Sequence, residues 1–322
     1  MRVRVVQSIV LLILSAFADL LNYAWADTPA ALVPVGQSIC PPTSEDCQDF
    51  DAFVFVHGIY GGAETFKNSA TGFDWPAKFP RDIDGRGVDI FRLNYESSLS
   101  SWAKEKNPQF VAVAKAVLEV MMPLRKRQYR SIGFIAHSLG GNIVSTYIHM
   151  VKTSIGHPQR SQHAFIINLA TPVLGAQIAD IAGTLKSLLG MDDDLLASLK
   201  KENLYLRMLN EFRLEEVQKE KRYVCRPVHL HAAYEEKFLG PLLIVDRDSA
   251  AVPISQMVQS PVVGFKLNHS EIAKPTSLGD PMHRWVEDRI IDEYRRLATW
   301  QRVRNDTLQV KPLCDLIPFR PE

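Results

Sequence analysis

The sequence predicts an α/β fold, a mostly parallel central sheet covered by crossover helices. From Ala52 onward, short apolar runs alternate with segments of helical periodicity, the order of elements that parallel sheets require. The chain has 322 residues, 46% of them hydrophobic, which is enough to bury a core on both faces of such a sheet. Its 37 Lys and Arg balance 36 Asp and Glu, so a net charge of +1 offers no nucleic-acid surface. No like-charge block, low-complexity tract or internal repeat suggests a disordered or solenoid chain.

Residues 1–26 stand outside this pattern. Arg2 and Arg4 precede an apolar stretch from Val5 to Phe17, and Ala24-Trp25-Ala26 has small residues where a signal peptidase reads. The stretch is shorter than the roughly 20 residues that span a bilayer. A signal peptide cleaved after Ala26 is therefore expected, with residues 27–322 as one exported, periplasmic or extracellular domain. Cleavage would remove Arg2, Arg4 and Asp19 and leave equal numbers of acidic and basic side chains.

Export bears on the cysteines. Cys40, Cys47, Cys225 and Cys314 lack the paired spacing of a zinc site, so no metal is expected, and an oxidising compartment favours disulfides. Four cysteines allow three connectivities. Cys40 with Cys47, closing a short loop that contains Pro41 and Pro42, and Cys225 with Cys314 are the expected pairs.

The elements follow in order. Ala52 to Val56 reads as a buried strand ending at His57-Gly58, and Val88 to Tyr95 as another. Phe110 to Met122 has helical spacing through Val111, Ala114, Val117, Leu118 and Met121, before a short buried strand from Ser131 to Ala136. Asn142 to Val151 is helical again, with Ile143, Tyr147 and Val151 on one face. Strands are expected at Ala164 to Ala170, Val228 to Ala233 and Val262 to Leu267. Asp280 as N-cap and Pro281 at the first position open a last helix whose Trp285, Val286, Ile290, Tyr294 and Leu297 face the sheet.

Between Leu174 and Arg222 the strand pattern stops. Ile178, Ile181, Leu185 and Leu188 form one helical stripe, Gly190 ends it, and Asp192 can cap a second helix with Leu195, Leu196 and Leu199. No Pro/Gly/Ser-rich linker flanks this segment, so it is expected to be a helical cap inserted into a single domain.

The chemistry centres on Phe134-Ile135-Ala136-His137-Ser138-Leu139-Gly140-Gly141. A buried strand runs straight into a helix with a serine at the junction, which lifts the hydroxyl above the sheet. Ala136 and Gly140 leave room for the tight turn. The helix N-terminus aims backbone N–H groups at the same point, where an oxyanion would develop. A helix-capping serine is the plainer alternative. A second stretch, Phe53 to Val56 followed by His57-Gly58-Ile59-Tyr60-Gly61-Gly62, is a strand and glycine-rich loop suited to supply another backbone donor. It lacks the patterns of dinucleotide or phosphate loops. The oxyanion N–H groups are assigned to Ile59 and Leu139.

These stretches resemble the α/β-hydrolase superfamily, within it the lipase-like serine-active-site hydrolases that share an H-G-[IL]-x-G loop and a G-H-S-L-G-G elbow. Asn94-Tyr95 before Trp102, Ala170-Thr171-Pro172 before Gly175, Val245 to Ala250 and His269 to Pro275 are similar as well. The resemblance spans roughly Ala52 to Leu297. The chain departs from it at Ala136, where the elbow usually has Gly; Ala is small enough to fit.

Of nine histidines, His57 and His137 resemble the loop-packing histidines of these motifs, and His229 and His231 sit within a strand. His269 follows the last predicted strand, in the chain position where the superfamily carries its base; His283, at a helix start, is the runner-up. The acid must come from the end of the Val228 to Ala233 strand or the loop after it. Glu235 is preferred, with Asp246 and Asp248 as alternatives. An insertion at Lys237 to Leu243 is inferred from the displaced valine-rich turn.

The resemblance implies acyl transfer through a covalent intermediate on Ser138, without a cofactor, on an ester or lipid substrate. The apolar cap favours acyl chains and leaves membrane-surface contact open. An acyltransferase using the same three side chains, or a non-catalytic lipid-binding protein on this fold, are the competing readings; failure to react with a fluorophosphonate would support the latter.

Overall fold

A computed structural model describes residues 30–41, 44–58, 61–95, 109–153, 162–173, 209–214, 228–238 and 262–307, with single positions at 243, 245, 247 and 250. The leader, nearly all of the cap segment 174–222, Cys225, Cys314, Ile59, Asp246 and Asp248 lie outside the described residues.

The strands are β1 (Ala30–Pro34), β2 (Asp51–Val56), β3 (Asp82–Ile83), β4 (Arg86–Tyr95), β5 (Ser131–His137), β6 (His163–Leu169), β7 (His229–Glu235) and β8 (Val263–Phe265). They form one eight-stranded sheet in the order β1-β4-β2-β5-β6-β7-β8, with β3 paired to β4. From β4 to β8 the neighbours are parallel, and β1 joins β4 antiparallel as an edge. The helices are α1 (Trp75–Lys78), α2 (Gln109–Val120), α3 (Met122–Lys126), α4 (Gly140–Thr153), α5 (209–214) and α6 (Pro281–Thr307).

Strand periodicity divides the core into two layers. Val54, Val56, Phe134, Ala136 and Ile166 face one way and pack with Val113 and Val117 of α2 and Ile143, Tyr147 and Ile148 of α4. Phe53, Phe55, Ile135, Phe165 and Ile167 face the other way, toward Trp75 of α1 and Met282, Val286, Ile290 and Tyr294 of α6. Fully burying each of these large side chains contributes about 1.5–3 kcal/mol. Phe55 meets Phe66, Trp75 and Phe79 edge to face at 5.2–5.5 Å, the geometry that aromatic quadrupoles favour.

The expected strands and helices are present where described, with four differences. The helix expected from Phe110 to Met122 ends at Val120, and the separate α3 begins at Met122, where Pro123 can sit only in a first turn. The strand β7 continues past Ala233 to Glu235, because Ala233 to Glu235 pair with Val263 to Phe265. Conversely, β8 stops at Phe265, short of the expected Leu267. Two strands were not expected: the edge strand β1, and β3, which forms a tight hairpin with β4 through Asp84 and Gly85. Both turn residues have left-handed backbones, φ 54° and 73°, the demand of a two-residue turn that Asp-Gly meets at little cost.

Register sets up the site. Val56, Ala136, Asn168 and Ala232 lie in one row across β2, β5, β6 and β7. The segments that follow each of them therefore emerge together at the carboxyl edge of the sheet, where ligands of open α/β sheets bind.

At the far edge, the segment before β2 is fastened by Cys40–Cys47, a disulfide seven residues apart. The buried Asp89 of β4 accepts from Ser38 Oγ (2.6 Å), Ile39 N (2.5 Å), Cys40 N (3.3 Å) and Tyr129 Oη (2.7 Å). Arg127 donates to the carbonyls of Cys40 and Pro41. A carboxylate accepting from several donors is well compensated for its burial.

Candidate active site

Ser138 is the first residue after β5, with φ 54°, a left-handed conformation uncommon outside glycine. Its N–H donates to Leu169 O at the end of β6 (2.9 Å), and Gly141 N and Asn142 N close the turn onto Ser138 O and Leu139 O. Two glycines are needed for the chain to fit. A Cβ on Gly140 would strike the backbone carbonyls of Val56 and His57, and one on Gly58 would lie 2.6 Å from Ser138 Cβ. The loop after β2 thus passes directly beside the serine. Leu139 is buried at the mouth of α4; Ile59 is outside the described residues.

His269 follows β8. Its ring reaches Ser138 with Nε2 3.1 Å from Oγ, and Nδ1 lies 2.7 Å from Glu235 Oε2. The surrounding turn is stiff: Asn268 Oδ1 accepts from Ser270 N and Glu271 N (both 3.0 Å), and Ile272 and Ala273 are buried. Glu235 ends β7 with its side chain fully buried, and its other oxygen accepts from Val245 N (3.0 Å). With Glu235 as acceptor, Nδ1 carries the hydrogen and Nε2 presents a lone pair to the serine hydroxyl. Such a line of side chains can take a proton from Ser138 as the oxygen attacks an electrophile, and return it to a leaving group.

The structure therefore brings together Ser138, His269 and Glu235, the three side chains chosen from sequence. The alternative acids Asp246 and Asp248 lie outside the described residues. Of the other histidines, His283 accepts from Trp75 Nε1 (2.9 Å), far from Ser138 in role, and its pKa is lowered by burial. His229 and His231 both bond Glu293 of α6, the latter at 2.7 Å. His57 stacks on Tyr95 with ring centroids 4.3 Å apart, and the Tyr95 hydroxyl donates to the His57 carbonyl at the root of the glycine loop. Burial pushes the Tyr95 hydroxyl pKa upward, so it remains a donor. This tie, and the Val245 amide on Glu235, were not anticipated. Among the described residues, no group of three or more His, Cys, Asp or Glu could hold a metal ion.

Parallel strands in this order, helices on both faces and a serine on the strand-to-helix turn after the central strand are the architecture of the α/β-hydrolase fold. More particularly, residues 49–201 match the family described as "Putative serine esterase (DUF676)", which supports an esterase-type hydrolase. No curated protein matches the chain. Among solved structures it is similar to a lipase-esterase related protein from Clostridium acetobutylicum (12% identity, TM-score 0.44, 82% of this chain and 98% of that one). It is also similar to Bacillus licheniformis lipase BlEst2 in mature form (16%, 0.44, 75% and 92%) and to esterase B from Lactobacillus rhamnosis (14%, 0.43, 94% and 99%).

Proposed function

We propose that the protein is an exported serine esterase that cleaves carboxylic esters of lipid or acyl type through a covalent acyl-enzyme. The observation that carries this reading is the unbroken line from Ser138 Oγ through His269 to the buried carboxylate of Glu235, at 3.1 and 2.7 Å. Ser138 Oγ attacks the ester carbonyl while His269 Nε2 takes its proton; Glu235 holds the tautomer and stabilises the imidazolium. The backbone N–H groups of Leu139 and Ile59 receive the oxyanion. His269 then protonates the leaving alcohol, and water, deprotonated by the same ring, releases the acid and restores Ser138.

The 174–222 segment supplies the acyl-binding cap in this reading, on the strength of its leucine-rich stripes. The basic start, apolar run and Ala24-Trp25-Ala26 support export, with Asp27 as the first residue of the mature protein.

A fluorophosphonate should form a covalent adduct on Ser138, located by peptide mass, and block hydrolysis of a series of p-nitrophenyl esters. Absence of both adduct and hydrolysis would overturn the reading. Intact mass of the exported protein tests the cleavage site.

A further inference from the structure

His137, the last residue of β5 and the chain neighbour of Ser138, turns toward the loop that carries His269. Its Nε2 lies 2.8 Å from the backbone carbonyl oxygen of His269, and the two rings tilt at 47° with centroids 4.9 Å apart. A carbonyl only accepts, so His137 Nε2 carries the hydrogen and donates it. Desolvation by burial, and then the neighbouring His269, Lys274 and His57, hold the His137 pKa down to about 3 against the opposing pull of the carbonyl bond. The imidazole is thus a neutral donor at working pH and adds no positive charge beside the imidazolium that His269 must become.

We propose that His137 is a positioning residue that fixes the backbone of His269, and through it the separation of His269 Nε2 from Ser138 Oγ. The inference rests on the catalytic reading of Ser138 and His269 given above. The nucleophile and the base are 131 residues apart in the chain and arrive on different elements. Glu235 holds the His269 ring at Nδ1, and the Asn268 bonds stiffen the turn within itself, but neither ties the His269 backbone to the strand that carries Ser138. His137 attaches that backbone to the peptide adjoining the nucleophile itself. Ser138 is anchored in turn by its N–H to Leu169 O, so displacement of the base relative to the serine has to break a bond. A misplacement of about 1 Å can cost on the order of 100-fold in rate.

His137→Gln and His137→Met separate this role from mere packing: the two side chains have similar length and volume, and only Gln has an N–H to donate. In the purified full-length mature protein, His137→Met should lower kcat for a short ester by about 10- to 100-fold with KM almost unchanged. His137→Gln should recover most of that loss, the two melting temperatures being alike. Unchanged kcat in His137→Met, an equal loss in both folded variants, or a loss confined to KM would overturn the proposal. If His137→Met fails to fold, a folded His137→Gln with kcat down by about tenfold or more would overturn it as well. Ser138→Ala and His269→Ala run alongside: activity surviving in both refutes the catalytic reading itself, whereas loss in both beside a fully active His137→Met refutes the positioning role alone.

Discussion

Gly58 and Ser138 touch across two loops: a Cβ added to the glycine would stand 2.6 Å from the serine Cβ and 3.1 Å from Oγ. Gly58→Ala should therefore push the loop after β2 away from the serine and displace the donor that follows it. Loss of one oxyanion donor lowers kcat by about 10²–10³, and a loss of that size is expected here, with little change in far-UV circular dichroism. Full activity in Gly58→Ala would show that the loop does not serve the reaction.

Ser138→Ala should lower kcat by about 10⁶, the loss seen when the nucleophile of such a triad is removed. The variant should fold, since among the described residues the hydroxyl bonds His269, while the turn itself is held by backbone bonds of Ser138 N, Gly141 N and Asn142 N. Ser138→Gly relieves a left-handed residue and should raise the unfolding free energy by up to about 1 kcal/mol. Steady-state kinetics and urea unfolding check the pair.

Glu235→Gln keeps the shape of the side chain and can still accept from Val245 N, but it no longer holds an N–H at His269 Nδ1 against a carboxylate. A fall in kcat of about 10⁴ follows by analogy with tautomer loss in serine proteases. Comparison with Asp246→Asn and Asp248→Asn assigns the acid: normal kcat in Glu235→Gln alongside loss in either aspartate variant would reassign it.

Stability should fall on acidification. For His137, His231 and His283, burial is the leading cause of a folded-state pKa below the usual imidazole value; for His137 it reaches about 3. A group whose native pKa is depressed stabilises the fold above its unfolded pKa and loses that contribution as pH drops toward the native value. The window for His137 is therefore from about 6.5 down to about 3. For Glu293, burial acts to raise the pKa, but the charge and hydrogen bonds of His229 and His231 outweigh it and bring it to about 2. Its window is from about 4.5 to about 2. Melting temperature should drop steadily from pH 7 to pH 4; a rise over that range would contradict the assignment.

Replacing Cys40 and Cys47 together by serine should cost about 2.5 kcal/mol, the chain-entropy value for so short a loop. Chemical denaturation of the oxidised protein and of the double variant measures it directly, and esterase activity at low denaturant should be unaffected, because the ring lies at the opposite end of the sheet order from β7 and β8.

The core strands were legible because each carries a continuous apolar run: β2, β5 and β6 are buried along their whole length. Ser138 was legible from local sequence, since the strand, the small flanking residues and the helix all stand within one stretch. His269 and Glu235 were chosen by chain order, which fixes succession but not contact. The edge strand β1 alternates half-buried and exposed residues over only five positions, too short a signal to separate from loop. The β3–β4 turn did carry a readable sign, Asp84-Gly85. His137 was read as a packing residue: nothing in the spacing of two residues far apart tells which imidazole nitrogen faces which carbonyl. His231, read as a strand packing residue, and His283, the runner-up base, meet Glu293 of α6 and Trp75 of α1, partners that depend on tertiary placement.

The ring closed by Cys40 and Cys47 and the carboxylate of Asp89 belong to different stages of assembly. The two cysteines are seven residues apart, a loop that a disordered chain closes without help from the rest of the molecule. The amides of Ile39 and Cys40, by contrast, are satisfied by a side chain some fifty positions downstream, which stands in place only once β4 has joined the sheet. Oxidation can therefore precede folding, and the closed ring then docks as a preformed piece whose seating reports that the sheet beneath it is complete. A chain oxidised early and released from denaturant should accordingly regain its native ring contacts at the rate of sheet formation, with no separate slow step for the cysteines.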